Sequence, residues 1–252
     1  MIEVKGLKKA FGQNQVLKGV GFHVNEGDVM TLLGVSGSGK TTLIRCLNYL
    51  ESPDEGVIRI DDRTVDAQKI TKKEIIELRK KTAMVFQTYD LFLNLNALQN
   101  VTEGLIRGGK IPKPDAEDIA RDLLEKVGLS AKLESKPYQL SGGEQQRVGI
   151  ARALALCPKV ILFDEPTSAL DPEVIGEILD IIKAVARSGV TMIIVTHEME
   201  FAFSVSNKVV FIDQGEIVEE GSPREVFLES SQERTKSFLA RSNFRFQPEY
   251  YL

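Results

Sequence analysis

The architecture of this chain depends on one stretch, Gly34-Val35-Ser36-Gly37-Ser38-Gly39-Lys40-Thr41-Thr42. An apolar run at residues 29–33 precedes it, and a helix-like segment at residues 42–47 follows it. This order of strand, glycine loop and helix is the one that a phosphate-binding loop requires. The glycines let backbone N–H groups turn inward around an anion, and the helix adds its positive N-terminal end. We therefore expect the chain to bind a nucleoside triphosphate.

Within this loop, Lys40 is expected to reach the β- and γ-phosphates, and the Thr41 hydroxyl is expected to ligate Mg²⁺. A flexible Gly/Ser loop is the alternative, but it does not account for the buried strand before the loop or the helix after it. The predicted nucleotide-contacting residues of the loop are Ser36, Gly37, Ser38, Gly39, Lys40, Thr41 and Thr42.

The composition is that of a soluble globular protein, with 42% hydrophobic and 27% charged residues. A net charge of −4 argues against a broad nucleic-acid surface, so we expect no nucleic-acid partner. No apolar run approaches the ~20 residues that cross a bilayer, and the N-terminus does not read as a signal peptide. The chain is therefore expected in the cytosol. Cys46 and Cys157 are each predicted to be small buried apolar residues.

Periodicity along the chain predicts an α/β fold. Continuous apolar runs at residues 160–163 and 191–195, with a helix at 172–187 between them, are typical of a mostly parallel sheet. Residues 16–24 alternate with Val16, Val20, Phe22 and Val24 on one face, and a hairpin at 57–65 is expected to join them in a small antiparallel sheet. Phe11 is placed in the loop before these strands, and a helix is expected to start near Asp115. Nothing could be read from the aromatic tail after Asn243.

Two adjacent carboxylates, Asp164 and Glu165, follow the apolar strand at 160–163. Burying both would be costly without a shared cation or proton. Beside a phosphate loop, Asp164 is predicted to hold Mg²⁺ and Glu165 to orient or deprotonate the attacking water. A simple turn at Asp164 before Pro166 is the alternative.

The segment Leu140-Ser141-Gly142-Gly143-Glu144 opens a helix. The S-x-x-E spacing of a capping box explains Ser141 and Glu144. It does not explain the glycines, since each costs ~1 kcal/mol within a helix. A group that approaches the backbone closely is a better explanation, and a helix N-terminus attracts anions. Two phosphate-seeking elements in one chain suggest a two-fold dimer with a nucleotide between its copies.

Together these motifs resemble those of ATP-binding-cassette (ABC) ATPases, and the match extends to at least Leu239. The motifs that carry it are the phosphate loop, Gln87 after its strand, Leu140-Ser141-Gly142-Gly143, Asp164-Glu165, Ser168-Ala169-Leu170-Asp171 and Thr196-His197. Five further segments are similar to the polar amino acid uptake branch: residues 17–20, 167–173, 195–202, 217–221 and 234–239.

The resemblance implies a P-loop NTPase core with a mostly parallel sheet, an antiparallel β subdomain and an inserted α-helical subdomain. The approximate divisions are the β subdomain at 1–30 and 55–68, the core at 31–54, 69–87 and 158–215, the helical subdomain at 88–157, and a C-terminal hairpin and helices at 216–252.

The resemblance also implies roles for residues on both sides of the nucleotide. Phe11 would stack on adenine and Val16 would pack beside the ribose. Gln87 would contact Mg²⁺ and the attacking water, and would link the site to a membrane partner. Asp171 would couple two sites, and His197 would contact the γ-phosphate, although the sequence alone favours a polar helix start at His197. The residues implied to bind the γ-phosphate of the opposite subunit are Ser141, Gly142 and Gly143.

The function that this resemblance implies is ATP hydrolysis by a subunit of an ABC importer, with polar amino acids as the solute. The implied partners are a second copy with two Mg-ATP sites at the interface, integral membrane permease subunits and an extracytoplasmic solute-binding protein. The chain would then lie on the inner face of the cell membrane. The alternatives are import of another small solute, an exporter subunit, a soluble non-transport ABC ATPase and a phosphate-loop kinase. Glu144 and residues 93–96 depart from the branch, and the latter put the membrane partner and solute in doubt.

Overall fold

The structure is a computed structural model, and it describes residues 1–242. The aromatic tail after Asn243 lies outside that range. The strands are β1 (Ile2–Phe11), β2 (Asn14–Val24), β3 (Val29–Leu33), β4 (Glu55–Ile60), β5 (Arg63–Asp66), β6 (Thr82–Val85), β7 (Val160–Asp164), β8 (Met192–Val195), β9 (Lys208–Asp213) and β10 (Glu216–Gly221). The helices are α1 (Lys40–Leu47), α2 (Lys72–Arg79), α3 (Ala97–Arg107), α4 (Lys113–Lys126), α5 (Gly142–Ala155), α6 (Pro172–Arg187), α7 (Met199–Val205), α8 (Pro223–Phe227) and α9 (Glu233–Arg241).

The larger sheet has the strand order β10-β9-β3-β8-β7-β6. All its neighbours are parallel except the closing hairpin of β9 and β10. Alternate residues of the central strands enter two different cores, as expected for strands that are covered on both faces. Leu162 and Ile193 pack with α1 and the smaller sheet, whereas Phe163 and Ile194 pack with α5 and α6. The predicted α/β fold class is confirmed.

The smaller sheet is antiparallel, with the order β2-β1-β4-β5. One detail of its pattern differs from the prediction: Leu17 is fully buried and Val16 is only half-buried. The register between β1 and β2 shifts beside Leu7 and again beside Ala10, and such bulges change which residue faces the core. Phe11 was also misplaced, because it ends β1 and pairs with Asn14 of β2.

Helices α3, α4 and α5 share a separate apolar core that includes Leu105, Leu124 and Val148. Helix α4 begins at Lys113, two residues before the predicted start, because Pro114 is tolerated in a first helical turn. The prediction for Cys157 was wrong: its thiol is exposed, whereas Cys46 is buried. Cys157 follows the end of α5 with a left-handed φ of 45°, so it is a turn residue instead of a core residue.

The parallel strands bring the chemically important segments to one edge of the larger sheet. The phosphate loop follows β3, Gln87 follows β6, Glu165 follows β7 and His197 follows β8. In open α/β sheets, ligands bind at the carboxyl ends of the strands, and this is the edge where these four segments lie. Across the range that the structure describes, no helix combines the length and apolar character needed to cross a membrane.

Candidate nucleotide-binding site

The phosphate loop joins the end of β3 to the start of α1. Gly39 caps α1 with a φ of 104°, a conformation in which a side chain is strained. A Cβ at this position would also lie 3.0 Å from the carbonyl oxygen of Val16. The first N–H groups of a helix have no partner inside the helix and carry the positive end of its dipole. The loop therefore presents an anion site in front of α1.

Lys40 is the buried cation of this loop. Its Nζ donates to the carbonyl oxygens of Gly34 and Val35, each at 2.9 Å. Burial lowers the pKa of Lys40, while the nearby carboxylates of Glu165 and Asp164 act in the opposite direction. An ammonium bonded to neutral carbonyls gains stronger, charge-assisted partners when a phosphate group arrives.

Asp164 ends β7 and is almost completely buried. Its Oδ1 accepts a hydrogen bond of 2.9 Å from the Thr41 hydroxyl. Its Oδ2 lies 3.4 Å from Nε of Arg45, an ion pair without a directed hydrogen bond. Burial raises the pKa of Asp164, and Thr41 and Arg45 partly counteract that rise. Two of the residues predicted to hold Mg²⁺ are thus hydrogen-bonded to each other: Thr41 in the first turn of α1 and Asp164 at the end of β7.

The oxygen atoms of Thr41 and Asp164 fit the type of magnesium site that is completed by substrate phosphates. No cluster of three or more His, Cys, Asp or Glu side chains that could hold a metal occurs within residues 1–242. Mg²⁺ at nucleotide sites does not need such a cluster, because one or two protein oxygens and the substrate phosphates hold it. The Thr41 hydroxyl and the Asp164 carboxylate supply those oxygens beside the anion site.

Glu165 is held in a sparsely populated backbone conformation, with φ of 48°. Such a residue costs about 1–3 kcal/mol and is often found at functional sites. Its Oε1 lies 3.2 Å from Nε2 of His197, and its Oε2 accepts a bond of 2.8 Å from the Ser168 hydroxyl. The bond from His197, opposed by burial, lowers the pKa of Glu165 to about 2. The carboxylate is therefore ionised at neutral pH.

The sequence alone predicted His197 as a polar residue at the start of a helix, but in the structure it lies before that helix. Helix α7 begins at Met199 with Glu198 as its N-cap, so His197 is not part of the first turn. Its ring, just after β8, reaches Glu165 at the end of the neighbouring strand β7. The structure thus joins two predicted catalytic residues into one pair.

Most of the predicted phosphate-site residues line one open cleft of about 310 Å³. A larger cavity of about 540 Å³ lies on the other side of His197, against α7 and α9. Apart from His197, none of the predicted site residues lines that larger cavity, so the smaller cleft is the candidate phosphate site. The residues that line the smaller cleft are Val16, Ser36, Gly37, Gly39, Lys40, Thr41, Thr42 and Glu165.

Ser38 of the phosphate loop is buried and does not line the cleft, and two predicted residues from other segments do not line it either. Phe11 is 47% exposed at the end of β1, and Nζ of Lys9 lies 4.9 Å from the centre of its ring. Gln87 is exposed just after β6, at the same edge of the sheet as Asp164. Their roles toward adenine, magnesium and water remain predictions.

The second predicted phosphate element does not reach the cleft of its own chain, since Ser141, Gly142, Gly143 and Asp171 are not among the residues that line it. Ser141 and Glu144 form the capping box. The backbone N–H of Glu144 donates to the Ser141 hydroxyl at 3.2 Å, and the backbone N–H of Ser141 donates to the Glu144 carboxylate at 2.8 Å. A γ-phosphate contact at these residues remains a prediction.

The close approach expected at the two glycines is present, but the approaching groups belong to the same chain. A Cβ at Gly142 would lie 2.6 Å from the hydroxyl of Tyr89, and a Cβ at Gly143 would overlap Cγ1 of Val174. Internal packing therefore accounts for small residues at both positions.

Sequence reasoning missed two residues of this region. Arg45 is four residues after Thr41 on α1, so helical periodicity could have placed both beside Asp164. Tyr89, whose hydroxyl donates to the carbonyl oxygen of Ala169 at 2.9 Å, had no such signal. Its partner is eighty positions away and only the fold brings them together.

Comparisons with known proteins agree with this geometry. Residues 17–168 match the family model described as ABC transporter. The chain is 53% identical to the L-cystine import ATP-binding protein of Bacillus subtilis (strain 168), over 100% of this chain and 98% of that protein. It is 46% identical to the glutamine transport ATP-binding protein of Geobacillus stearothermophilus, over 96% and 98%.

A solved structure of similar fold points the same way. It is a dimeric ATP-binding cassette in a post-hydrolysis state, bound to ADP and Pi, with a TM-score of 0.79 and 33% identity over 89% of this chain and 99% of that one. The matching family model, the full-length relatives and the phosphate-loop site all lead to one conclusion: the chain belongs to the ABC transporter family, as one of its ATP-binding subunits.

Proposed function

We propose that this chain hydrolyses ATP as the motor subunit of an ABC importer for polar amino acids, and that two copies enclose two Mg-ATP molecules. The observation that carries this proposal is the single cleft where Lys40, Thr41 and Glu165 converge, with Asp164 bonded to Thr41 behind it. The names of the full-length relatives, which import cystine or transport glutamine, support the choice of solute class.

A composite site, shared between two copies of the chain, is suggested by the position of the start of α5, which does not line the cleft of its own chain. The N-terminal turn of α5 carries two glycines and the positive end of a helix dipole, yet it does not line the cleft of its own chain. A second copy in two-fold arrangement would bring this turn to the γ-phosphate, and each chain would do the same for the other. The solved structure similar to this chain is a dimer bound to ADP and Pi, which supports a nucleotide-binding dimer here.

Each residue then has a specific task in hydrolysis. Lys40 and the loop N–H groups bind the β- and γ-phosphates, and Glu165 accepts a proton from the attacking water. His197 and Ser168 hold both oxygens of Glu165 and fix its orientation. When bound, Mg²⁺ would be held by Thr41 and Asp164 and would neutralise charge on the phosphates. The partner's N–H groups at Leu140-Ser141-Gly142-Gly143, the signature segment, stabilise charge that develops on the γ-phosphate.

Coupling to transport requires surfaces for other subunits. Phe92 and Leu93 follow Gln87 and are 48% and 73% exposed. Contiguous exposed apolar surface marks interaction sites, whereas single exposed apolar side chains are ordinary, so it is the pair of sequence neighbours that supports an interaction surface here. We assign this segment to contact with membrane permease subunits, so that closure of the dimer and movement of residues 88–157 pull on them. The chain would then be peripheral on the cytoplasmic face, and an extracytoplasmic protein would deliver the solute.

A complementation experiment tests the composite site. In one variant, Lys40→Met disables the phosphate loop, and in another, Ser141→Arg disables the signature segment at residues 140–143. Each alone should lose turnover, because every site in its homodimer has one defective half. Mixing them creates dimers with one intact site, so ATPase activity should reappear.

If ATP turnover takes place entirely within one chain, the mixture will remain as inactive as its components. Co-expression with the permease subunits adds a separate test of transport. The chain should sediment with membranes only when they are present. Sedimentation without them, or binding to nucleic acid instead, would favour a soluble non-transport ATPase.

A further inference from the structure

The loop after β6 is fixed in an unusual conformation. Tyr89 and Asp90 both have left-handed backbone angles, with φ of 63° and 46°. Non-glycine residues adopt this region rarely, and the surrounding structure must hold them there. Arg152 of α5 does so by donating to the carbonyl oxygens of Asp90 at 2.8 Å and Tyr89 at 3.2 Å.

The side chain of Tyr89 joins this loop to a second one. Its hydroxyl donates a hydrogen bond of 2.9 Å to the carbonyl oxygen of Ala169. Ala169 lies two residues before Asp171, at the entrance to α6. One bond therefore connects the segment that carries Gln87 to the segment that carries Asp171.

The same hydroxyl occupies the space beside the first residue of α5. A Cβ at Gly142 would lie 2.6 Å from Oη of Tyr89, 3.4 Å from its Cζ and 3.3 Å from Cδ2 of Leu170. Only the first distance is too short to be absorbed by small shifts. At Gly143 the obstacle is a different side chain, Val174.

We propose that Tyr89 is a positioning residue that ties together the Gln87 loop, the start of α5 and the Asp171 loop, and that Gly142 is required because its missing Cβ admits the Tyr89 hydroxyl. The consequence for turnover rests on the proposed ATPase function, whereas the packing relation does not. Gly142 thus has a role inside its own chain, separate from any contact with a partner's nucleotide.

A double-mutant cycle tests this pairing. Gly142→Ala should lower the thermal unfolding temperature of the nucleotide-free chain and lower kcat for ATP by about tenfold, since the added Cβ displaces the hydroxyl. Tyr89→Phe alone should lower kcat about two- to threefold with KM for ATP nearly unchanged, because it removes one hydrogen bond. In the double variant, Tyr89→Phe should recover at least about half of both losses on a logarithmic scale.

Gly143 provides the matched control. Tyr89→Phe should not rescue Gly143→Ala, whereas Val174→Ala should, because the obstacle there is the valine side chain. If Gly142→Ala fails to fold and the double variant folds, the pairing is supported. A double variant no better than Gly142→Ala in unfolding temperature and in kcat would overturn it. Because unfolding is measured without nucleotide, failure of the proposed function would leave that readout informative.

Discussion

Replacing Arg45 with methionine isolates the positive charge that faces the buried carboxylate of Asp164. The two side chains form an ion pair, with Nε 3.4 Å from Oδ2, while the other carboxylate oxygen bonds to Thr41. If Mg²⁺ binds at Thr41 and Asp164 as proposed above, Arg45 and Mg²⁺ compete for one carboxylate. Removing the arginine charge should strengthen binding of the metal and destabilise the chain when the metal is withheld.

The magnitude follows from the distance and the exposure of the pair. At an effective dielectric constant of ~20, two unit charges this close attract each other by about 5 kcal/mol. The Arg45 side chain is 43% exposed, whereas that of Asp164 is only 3% exposed. Solvent screening and desolvation offset most of the attraction, so we expect a net effect of about 1–2 kcal/mol. About 1.4 kcal/mol corresponds to a tenfold change in an equilibrium constant.

The assay is a MgCl₂ titration at a fixed concentration of a fluorescent ATP analogue. Because burial raises the pKa of Asp164, a buffer of about pH 8 is chosen to favour its ionised form. The Arg45→Met variant should reach half-saturation at about tenfold lower Mg²⁺ than the unmodified chain. In EDTA without nucleotide, its unfolding temperature should fall by about 2–8 °C.

Arg45→Lys retains the charge and serves as the control, so its Mg²⁺ requirement should stay near that of the unmodified chain. An Arg45→Met variant that needs as much Mg²⁺ as the unmodified chain, or more, would refute the competition. So would an Arg45→Lys variant that behaves like Arg45→Met.

Three further predictions concern single side chains. His197→Ala should raise the pKa of Glu165 from about 2 toward 4.5. In the unmodified chain the ionised carboxylate stabilises the fold above pH 4.5, and this stabilisation is lost as the pH falls toward 2, so the variant should have less of it to lose. A carboxyl ¹³C titration measures the pKa, and an unchanged midpoint would contradict the prediction. Lys40→Met should weaken ATP binding at least about a hundredfold because the loop loses its cation, as calorimetry would show. Gln146, fully buried with neither amide atom bonded to any described residue, should gain stability as Gln146→Leu, with a rise of about 2–4 °C in unfolding temperature; a fall would contradict it.

The local sequence pattern was sufficient to predict those helices, strands and loops that are determined by residues close together in the chain. The glycine loop between an apolar run and a helix predicted the succession of β3, loop and α1, and continuous apolar runs predicted the strands β7 and β8. Helix α6 has the predicted bounds, 172–187, because a proline in its first turn marks its start. These features depend on neighbouring residues, so periodicity reveals them.

Contacts between distant segments could not be predicted in this way. The bulges that turn Leu17 rather than Val16 into the core arise from pairing with β1. The exposure of Cys157 depends on where α5 ends, and the bond between Tyr89 and Ala169 depends on how two loops meet. Gly142 and Gly143 of α5 are the clearest example. Because glycine destabilises a helix, the sequence predicted that some group approaches them closely, but it did not reveal that the groups are the side chains of Tyr89 and Val174.

The central claim is that two copies of this chain trap ATP between the lysine loop of one and the paired glycines of the other. Light scattering on the Glu165→Gln variant tests it most directly, because this change removes the base and leaves the binding groups in place. With saturating Mg-ATP the particle should have twice the 28.0 kDa mass of one chain, and with Mg-ADP it should return to one chain. A particle that stays at the mass of a single chain with saturating Mg-ATP would contradict the claim.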